Sequence, residues 1–334
     1  LVVAAILVGA GATSFVLIGY AVVMLIFNLK PLRQLLVSKA LLNLMKGFMP
    51  KISETERTAL EAGVVWVEKD LFSGAPDFKK ILAEPYPDLT AEEQAFLDGP
   101  TEKLCKMIDP WALWRTREMD AEVWAFMKKE RFFGMIIPKE YGGLGFSALA
   151  HSAVVMKIGS RSLCACTTIM VPNSLGPAEL LIHYGTDAQK KHYLPRLARG
   201  EDIPCFGLTE STAGSDAGAI NSNGVLFKRD GKLYVRLNWN KRYITLASVS
   251  TVIGLAFKMR DPENLLGKGE DLGITAALIP ASTPGVVIGR RHDPLSVPFH
   301  NCPTQGKDVE VSIDAIVGGE SGVGKGWKML MESL

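Results

Sequence analysis

The sequence predicts an α+β fold with a transmembrane or juxtamembrane start, an N-terminal all-α domain, a middle β-barrel-like domain and the opening of a further helix. Three observations carry this prediction. Residues 1–27 contain no charged side chain. From about residue 90 to residue 200 apolar residues recur at helical spacing. After Pro204 short β-rich runs alternate with turns.

Composition narrows the class. The 334 residues are 48% hydrophobic and 22% charged, with 37 basic and 35 acidic side chains for a formal charge of +2. Disorder needs low hydrophobicity and high net charge. So balanced a chain creates no strong field, and no nucleic-acid partner is expected.

The uncharged start is long enough to span a hydrocarbon core, which takes about 20 apolar residues. It also exceeds the roughly 7–15 apolar residues of a signal peptide. A transmembrane helix is therefore predicted over residues 1–28. Lys30, Arg33, Lys39, Lys46 and Lys51 follow with no acid before Glu54, a pattern that marks the cytoplasmic side of a span. Within residues 29–71, a basic juxtamembrane segment and linker, Leu32–Met49 mixes apolar and basic residues as an interfacial helix on anionic lipid does. The chain begins with Leu1, which leaves a further upstream span open.

Ser53–Glu56 reads as a helix start, with a serine cap and acids in the first turn. Thr90 with Glu93 three residues later reads as a capping box. Val123, Trp124, Phe126 and Met127 mark a helical face, and Tyr141–Gly145 divides two helical segments. Met156, Met170 and the tryptophans read as core; His183, His192, Lys190 and Lys191 read as solvated. Strands are expected at Lys232–Leu237, Arg242–Ala247, Val249–Met259, Gly273–Pro280 and Gly285–Arg290. Gly322, Gly324 and Gly326 then lead into a helix at Trp327–Leu334. Five cysteines (Cys105, Cys164, Cys166, Cys205, Cys302) are odd in number and irregular in spacing. They match no zinc pattern, so buried or free thiols in a reducing setting are expected and no metal site.

The residues with most chemistry run from Phe206 to Asp216: Phe206, Gly207, Leu208, Thr209 and Glu210, then a loop of small residues through Gly214 and Ser215. Small residues let backbone N–H groups approach an anion, and a serine hydroxyl adds a donor. Such a loop suits a pyrophosphate, with the Thr209 hydroxyl toward the polar edge of a ring. On these residues alone an ordinary turn is an equal alternative.

This segment has company. Tyr184–Glu201 lies upstream and Lys241–Thr245 downstream, with Pro138–Gly143 and Pro172–Pro177 earlier. In this order and spacing the blocks resemble the acyl-CoA dehydrogenase family over about residues 72–334. With the apolar start included, the chain is similar to large membrane-associated bacterial members that act in fatty-acid β-oxidation. The resemblance implies a helical domain over 72–203, a β domain over 204–317 and, from 318, the first helix of a C-terminal helical-bundle domain, with FAD between them. It implies that Phe206, Leu208 and Thr209 line the flavin and that Gly214 and Ser215 meet the pyrophosphate. Ser215 would also border the acyl-CoA channel, and Tyr243 and Thr245 would pack on and hydrogen-bond the ring. Two departures stand out: Tyr243 occupies a position where tryptophan is common, and Ser211-Thr212 replaces Pro-Gly.

The implied reaction is α,β-dehydrogenation of a fatty acyl-CoA to a trans-2-enoyl-CoA, with electron-transfer flavoprotein as acceptor. The implied location is the bacterial inner membrane, in contact with lipid, with the enzyme portion cytoplasmic. A homo-oligomer is left open for the full-length protein. The family's base is a glutamate of the C-terminal domain and is expected beyond Leu334, so no catalytic residue is assigned; Glu210 is not the family's base. The chain by itself is expected to be inactive and to hold FAD poorly. Two rivals remain at this stage: a flavin oxidase of the same fold, and a membrane-tethered acyl-CoA- or flavin-binding protein without catalysis.

Overall fold

The computed structural model describes residues 2–48, 57–58, 60–61, 67–174 and 176–333, with side chains from Ser14 on. The helix start read at Ser53–Glu56 lies outside the described residues, as do Lys51, Trp66 and Leu175. The chain divides into two compact units, residues 1–54 and 55–334.

The first unit is helical. Helix α1 spans Val2–Asn28, Leu29 leaves the helical conformation (φ −84°, ψ 106°), and α2, Lys30–Met45, sets off at 89° to the described part of α1. Pro31 causes the break, because it has no N–H and its ring would strike the carbonyl four residues back. That carbonyl belongs to Phe27, and the Arg33 guanidinium donates to it at 3.3 Å. Among the described residues no single helix is long and apolar enough to cross a membrane. Ser14–Asn28 and Lys30–Met45 pass that test together, by length and composition. Of the expected span over residues 1–28 only Ser14–Asn28 lies among the residues with described side chains, and the basic stretch after it is itself a helix.

In the second unit helices come first and the sheet follows. The capping box expected at Thr90 is present: Thr90 Oγ1 accepts the Glu93 N–H (3.3 Å) and Glu93 Oε2 accepts the Thr90 N–H (2.8 Å). The other Glu93 oxygen accepts the Ser147 N–H (2.7 Å), at the cap of helix Ala148–Gly159. These N–H donors, Ser147 first and Thr90 next, hold the Glu93 carboxyl down at about 2. A second box joins Thr186 and Gln189 at the start of helix Asp187–Ala198. The Gln189 amide donates to the carbonyls of Asp314 (2.8 Å) and Ile316 (2.7 Å) and accepts the Gly318 N–H (3.1 Å). One side chain thereby fastens a helix to the segment leaving the sheet.

The strands are β1 (Pro204–Gly207), β2 (Asn223–Arg229), β3 (Lys232–Thr245), β4 (Val252–Arg260), β5 (Asp271–Pro280), β6 (Val286–Ile288) and β7 (Asn301–Ser312). They form one seven-stranded mixed sheet in the order β1-β4-β2-β3-β7-β6, with β5 also on β4. Strand β4 organises it, lying parallel to β1 at its start and to β2 at its end, and antiparallel to β5. The domain expected to be barrel-like is this one curled sheet, and among the described residues no pairing joins its outer strands β5 and β6.

Where two strands were expected, at 232–237 and 242–247, β3 runs as one strand of 14 residues. Asn238–Lys241 looks like a turn in sequence but is strand, with register shifts at Leu237/Trp239 and Lys241/Ile244. Its Trp239 lies across Gly306, where a Cβ would come within 2.1 Å of the indole, and donates to Thr304 Oγ1 at 3.2 Å. Burial of that indole keeps the chain extended.

The core is continuous across the second unit. Leu104, Met127, Phe132, Phe133 and Ile158 of the helical part join Ile253, Leu255 and Phe257 of β4 in one cluster. Some expected core residues are not there. Met156 is 73% exposed because its helix turns Ala150, Val154 and Ile158 inward, about half a turn away. Trp111 and Trp114 are exposed and stacked on each other, while their helix buries Leu113.

Candidate cofactor cavity

The ends of β1 and β3 come together beside the helical part and enclose a cavity. Phe206 from β1, then Leu208 and Thr209, form one wall; Tyr243, Ile244 and Thr245 at the end of β3 form the other; Val171 closes it from the helical side. Its volume is about 180 Å³. Phe206 owes its place to Gly254 on β4, where a Cβ would come within 2.5 Å of the phenyl ring.

Tyr243 is held in an unusual backbone. Its φ is +57°, inside the register shift between Lys241 and Ile244. The left-handed region costs an L-residue about 1–2 kcal/mol, so this bulge presents a tyrosine at an energetic cost. The ring stays 55% exposed, with the Arg242 guanidinium over it at 5.0 Å and His292 edge-on at 5.6 Å. Thr245 Oγ1 accepts a hydrogen bond from Asn301 Nδ2 at 3.3 Å. Among the described residues Asn301 Oδ1 and His292 Nε2 are buried with no partner, although buried polar atoms are nearly always paired.

Apolar walls with two threonine hydroxyls, an open aromatic ring and two orphaned polar atoms alongside suit a flat, mostly apolar ligand with a hydrogen-bonding edge. The flavin ring of FAD has that character, so the lining fits the implied cofactor.

Beneath the Leu208–Thr209 wall lies a buried ion pair. Lys241 has no accessible side-chain surface, and its ammonium donates to Glu210 Oε1 (2.8 Å) and to the Leu208 carbonyl (2.9 Å). Glu210 also accepts from the Ser222 hydroxyl and from the N–H groups of Asn221 (2.7 Å) and Ser222 (3.0 Å). Burial pushes the Glu210 carboxyl up, but Lys241, the Ser222 hydroxyl and the two N–H donors outweigh it and hold it at about 2. Burial draws the Lys241 ammonium below its ordinary value, partly offset by Glu210. The lysine stem passes Gly207, where a Cβ would sit 3.4 Å from its Cγ.

The loop after Glu210 is placed differently. Glu210 and Ala213 exchange backbone hydrogen bonds (3.0 and 3.4 Å), and Gly214 and Ser215 lie exposed beyond them, outside the cavity lining. A Cβ on Gly214 would meet nothing within 4 Å, and its φ is not left-handed. The turn itself therefore does not require glycine there.

Of the seven residues expected at a cofactor, Phe206, Leu208, Thr209, Tyr243 and Thr245 share one cavity, and Gly214 and Ser215 stand apart on the loop. Sequence reasoning missed Val171, Asn301, His292 and the role of Lys241. The first three lie far along the chain from the motif and carry no local signal; Lys241 was visible as the first residue of the Lys241–Thr245 block, at what looked like a turn, with nothing local to show that it is buried.

Comparison with known proteins follows the same division. Residues 90–201 match the N-terminal domain of acyl-CoA dehydrogenases and residues 205–309 the middle domain. The chain is 37% identical over 191 residues to a 3-(aryl)acrylate reductase of Clostridium sporogenes, covering 57% of this chain and 47% of that protein. It is 31% identical over 253 residues to a probable acyl-CoA dehydrogenase of Bacillus subtilis, covering 74% of this chain and 62% of that one. An acyl-CoA dehydrogenase structure from Geobacillus kaustophilus superposes with a TM-score of 0.63 at 24% identity, over 75% of this chain and 63% of that chain. The chain thus spans about half to three-fifths of the length of these relatives.

Proposed function

The chain belongs to the acyl-CoA dehydrogenase family, whose N-terminal and middle domains it carries, and from that premise we propose that it is the flavin-binding part of an enzyme that dehydrogenates fatty acyl-CoA thioesters at Cα–Cβ. The observation that carries the reading is the convergence of Phe206, Leu208, Thr209, Tyr243 and Thr245 on one cavity from two separate strands. FAD, when bound, supplies the hydride acceptor.

The chain's own residues then have separate tasks. Val171, Phe206, Leu208 and Ile244 would exclude water from the ring, and Tyr243 would pack on it. The Thr209 and Thr245 hydroxyls orient its polar edge. Gly214 and Ser215 on the exposed loop would hold the pyrophosphate, and Ser215 would border the acyl-CoA channel. Glu210 takes no part in proton transfer: its oxygens already serve four donors, and it is ionised far below neutral pH. The cavity lining contains no carboxylate, and the proton acceptor for Cα belongs to another part of the enzyme. Electron-transfer flavoprotein is the proposed acceptor of the reducing equivalents, and a membrane surface the proposed location.

A second reading has one observation in its favour. The likeness to a 3-(aryl)acrylate reductase suits the reverse use of the same fold, saturation of an activated C=C bond.

Titrating FAD into the full-length protein tests the cavity. Thr209→Val and Ser215→Ala should each weaken binding by about threefold to tenfold, the value of one hydrogen bond of roughly 0.5–1.5 kcal/mol. Ser215→Ala should depend more on salt, since its partner is charged. Unchanged FAD curves in both variants, with normal melting, would remove the assignment.

A further inference from the structure

The two walls of the cavity do not belong to neighbouring strands. Among the described residues β1 pairs only with β4, whereas β3 pairs with β2 and β7. Nothing in the ladder therefore fixes the gap between Leu208–Thr209 and Tyr243–Thr245. Among the described residues three hydrogen bonds tie these segments. One is backbone, the Arg242 N–H to the Thr209 carbonyl at 2.9 Å. The other two come from Lys241, to the Leu208 carbonyl and to Glu210.

We propose that Lys241 is a positioning residue for the cofactor cavity: its ammonium, neutralised by Glu210, sets the distance and angle between the two walls that receive the ring. Three features point this way. A fully buried lysine is costly, and an apolar pair of similar volume is often as stable, so stability alone does not explain the charge. The lysine acts on the backbone carbonyl of a lining residue, and its strand reaches the lining again two residues later at Tyr243. Glu210 is itself fixed to the entry of β2 through Asn221 and Ser222, so the pair joins β1, β2 and β3 at one point. The left-handed Tyr243 begins just past this anchor, where a loosened wall would let the strained bulge relax. Lys241 touches no reacting atom; it acts through Leu208, Thr209 and Tyr243.

The proposal rests on the flavin reading for its consequence but not for its geometry, and two measurements keep them apart. The double variant Lys241→Met with Glu210→Gln removes both charges together and keeps the volume. In the FAD-free, folded double variant, hydrogen exchange at the Arg242 amide should quicken at least about tenfold. In FAD titrations the same variant should bind at least about tenfold more weakly, and the absorbance band of its bound flavin should lose the resolved shoulders of a tightly held ring. Wild-type exchange at Arg242 in the folded double variant overturns the positioning role, whatever FAD does. Accelerated exchange with an unchanged FAD curve and band shape overturns the link to the cofactor. Full-length wild-type protein that binds no FAD overturns the flavin reading and that link together, leaving the exchange result to decide the geometry. Should the double variant not fold, Lys241→Arg decides, since it keeps the charge and the Glu210 partner but changes the length of the tie: FAD binding weakened at least about threefold with normal melting supports the proposal, and an unchanged curve overturns it.

Discussion

Lys241 without Glu210, or Glu210 without Lys241, is a buried charge lacking its partner. Removing one member of such a pair costs about 3–5 kcal/mol, so Lys241→Met alone should lower the denaturant midpoint far more than the paired substitution does. A chemical melt of the single and double variants checks this; equal losses would mean that the two groups do not act as a pair. Gly306 makes a similar point about shape. A methyl group there would lie 2.1 Å from the Trp239 ring, which sits in the core and cannot swing out to solvent. Gly306→Ala should destabilise by about 1–3 kcal/mol, the usual cost of overpacking. Gly214→Ala, with open space around its Cβ, should leave melting unchanged and affect only what approaches the loop.

Helix starts are where single side chains govern whole elements. Glu93 closes the box on its own helix and receives the Ser147 N–H at the cap of a second one. Glu93→Gln keeps the shape but gives up the charge, so a loss of about 1–3 kcal/mol is expected, toward the charged-bond end of the range. The carboxyl is held at about 2 against an ordinary 4.5. Its contribution is therefore complete above pH 4.5 and disappears as pH falls from there toward 2. Wild type should lose stability more steeply than Glu93→Gln across that window, and parallel curves in acid titrations of the two would argue against the assignment. The break at Pro31 is an element-scale feature of the same kind. With Pro31→Ala the Phe27 carbonyl regains a backbone donor, and circular dichroism of residues 1–48 in lipid should show added helix.

At the scale of the molecule, the helical and β parts of the second unit meet around His300. Its Nδ1 lies 2.7 Å from Ser248 Oγ and its Nε2 3.6 Å from Glu118 of the helical part. Glu118 in turn pairs with Arg291 at 2.6 Å, and Arg291 with Asp293 at 3.5 Å. Burial, and after it Arg291, push the His300 imidazole below its ordinary 6.5, against the opposing pull of Glu118 and Asp293. A histidine with a lowered folded pKa binds its proton more readily when unfolded. Its contribution is thus intact above pH 6.5 and is lost as pH falls below that value. The melting temperature should drop between pH 7.5 and 5.5, with a shallower slope in His300→Gln; equal slopes would place the effect elsewhere. The first unit has its own test. If α1 and α2 hold the protein to a membrane, deleting residues 1–48 should move it from the carbonate-resistant membrane fraction to the soluble one, and retention of the truncated chain in membranes would count against the anchor.

Much of this architecture was legible in the sequence because its causes are local. Thr90 and Glu93 cap a helix through bonds three residues apart; the change of texture at Pro204 is where the first strand begins; the spacing of the motif blocks named the family. What the sequence did not determine comes from contacts between distant segments. Strand β7 is polar along much of its length and becomes a strand because β3 pairs with it. The apparent turn at Asn238–Lys241 stays extended because Trp239 is buried over Gly306, 67 residues later in the chain. Five motif residues form a cavity only because β1 and β3 converge, with Lys241 crossing between them. Local hydrogen bonds and periodicity are written in adjacent residues, whereas burial depends on which distant residues the fold brings together. The sequence by itself therefore identified the helical stretch, the cap at Thr90 and the family, and the tertiary structure decided the sheet, the buried ion pair and the walls of the cavity.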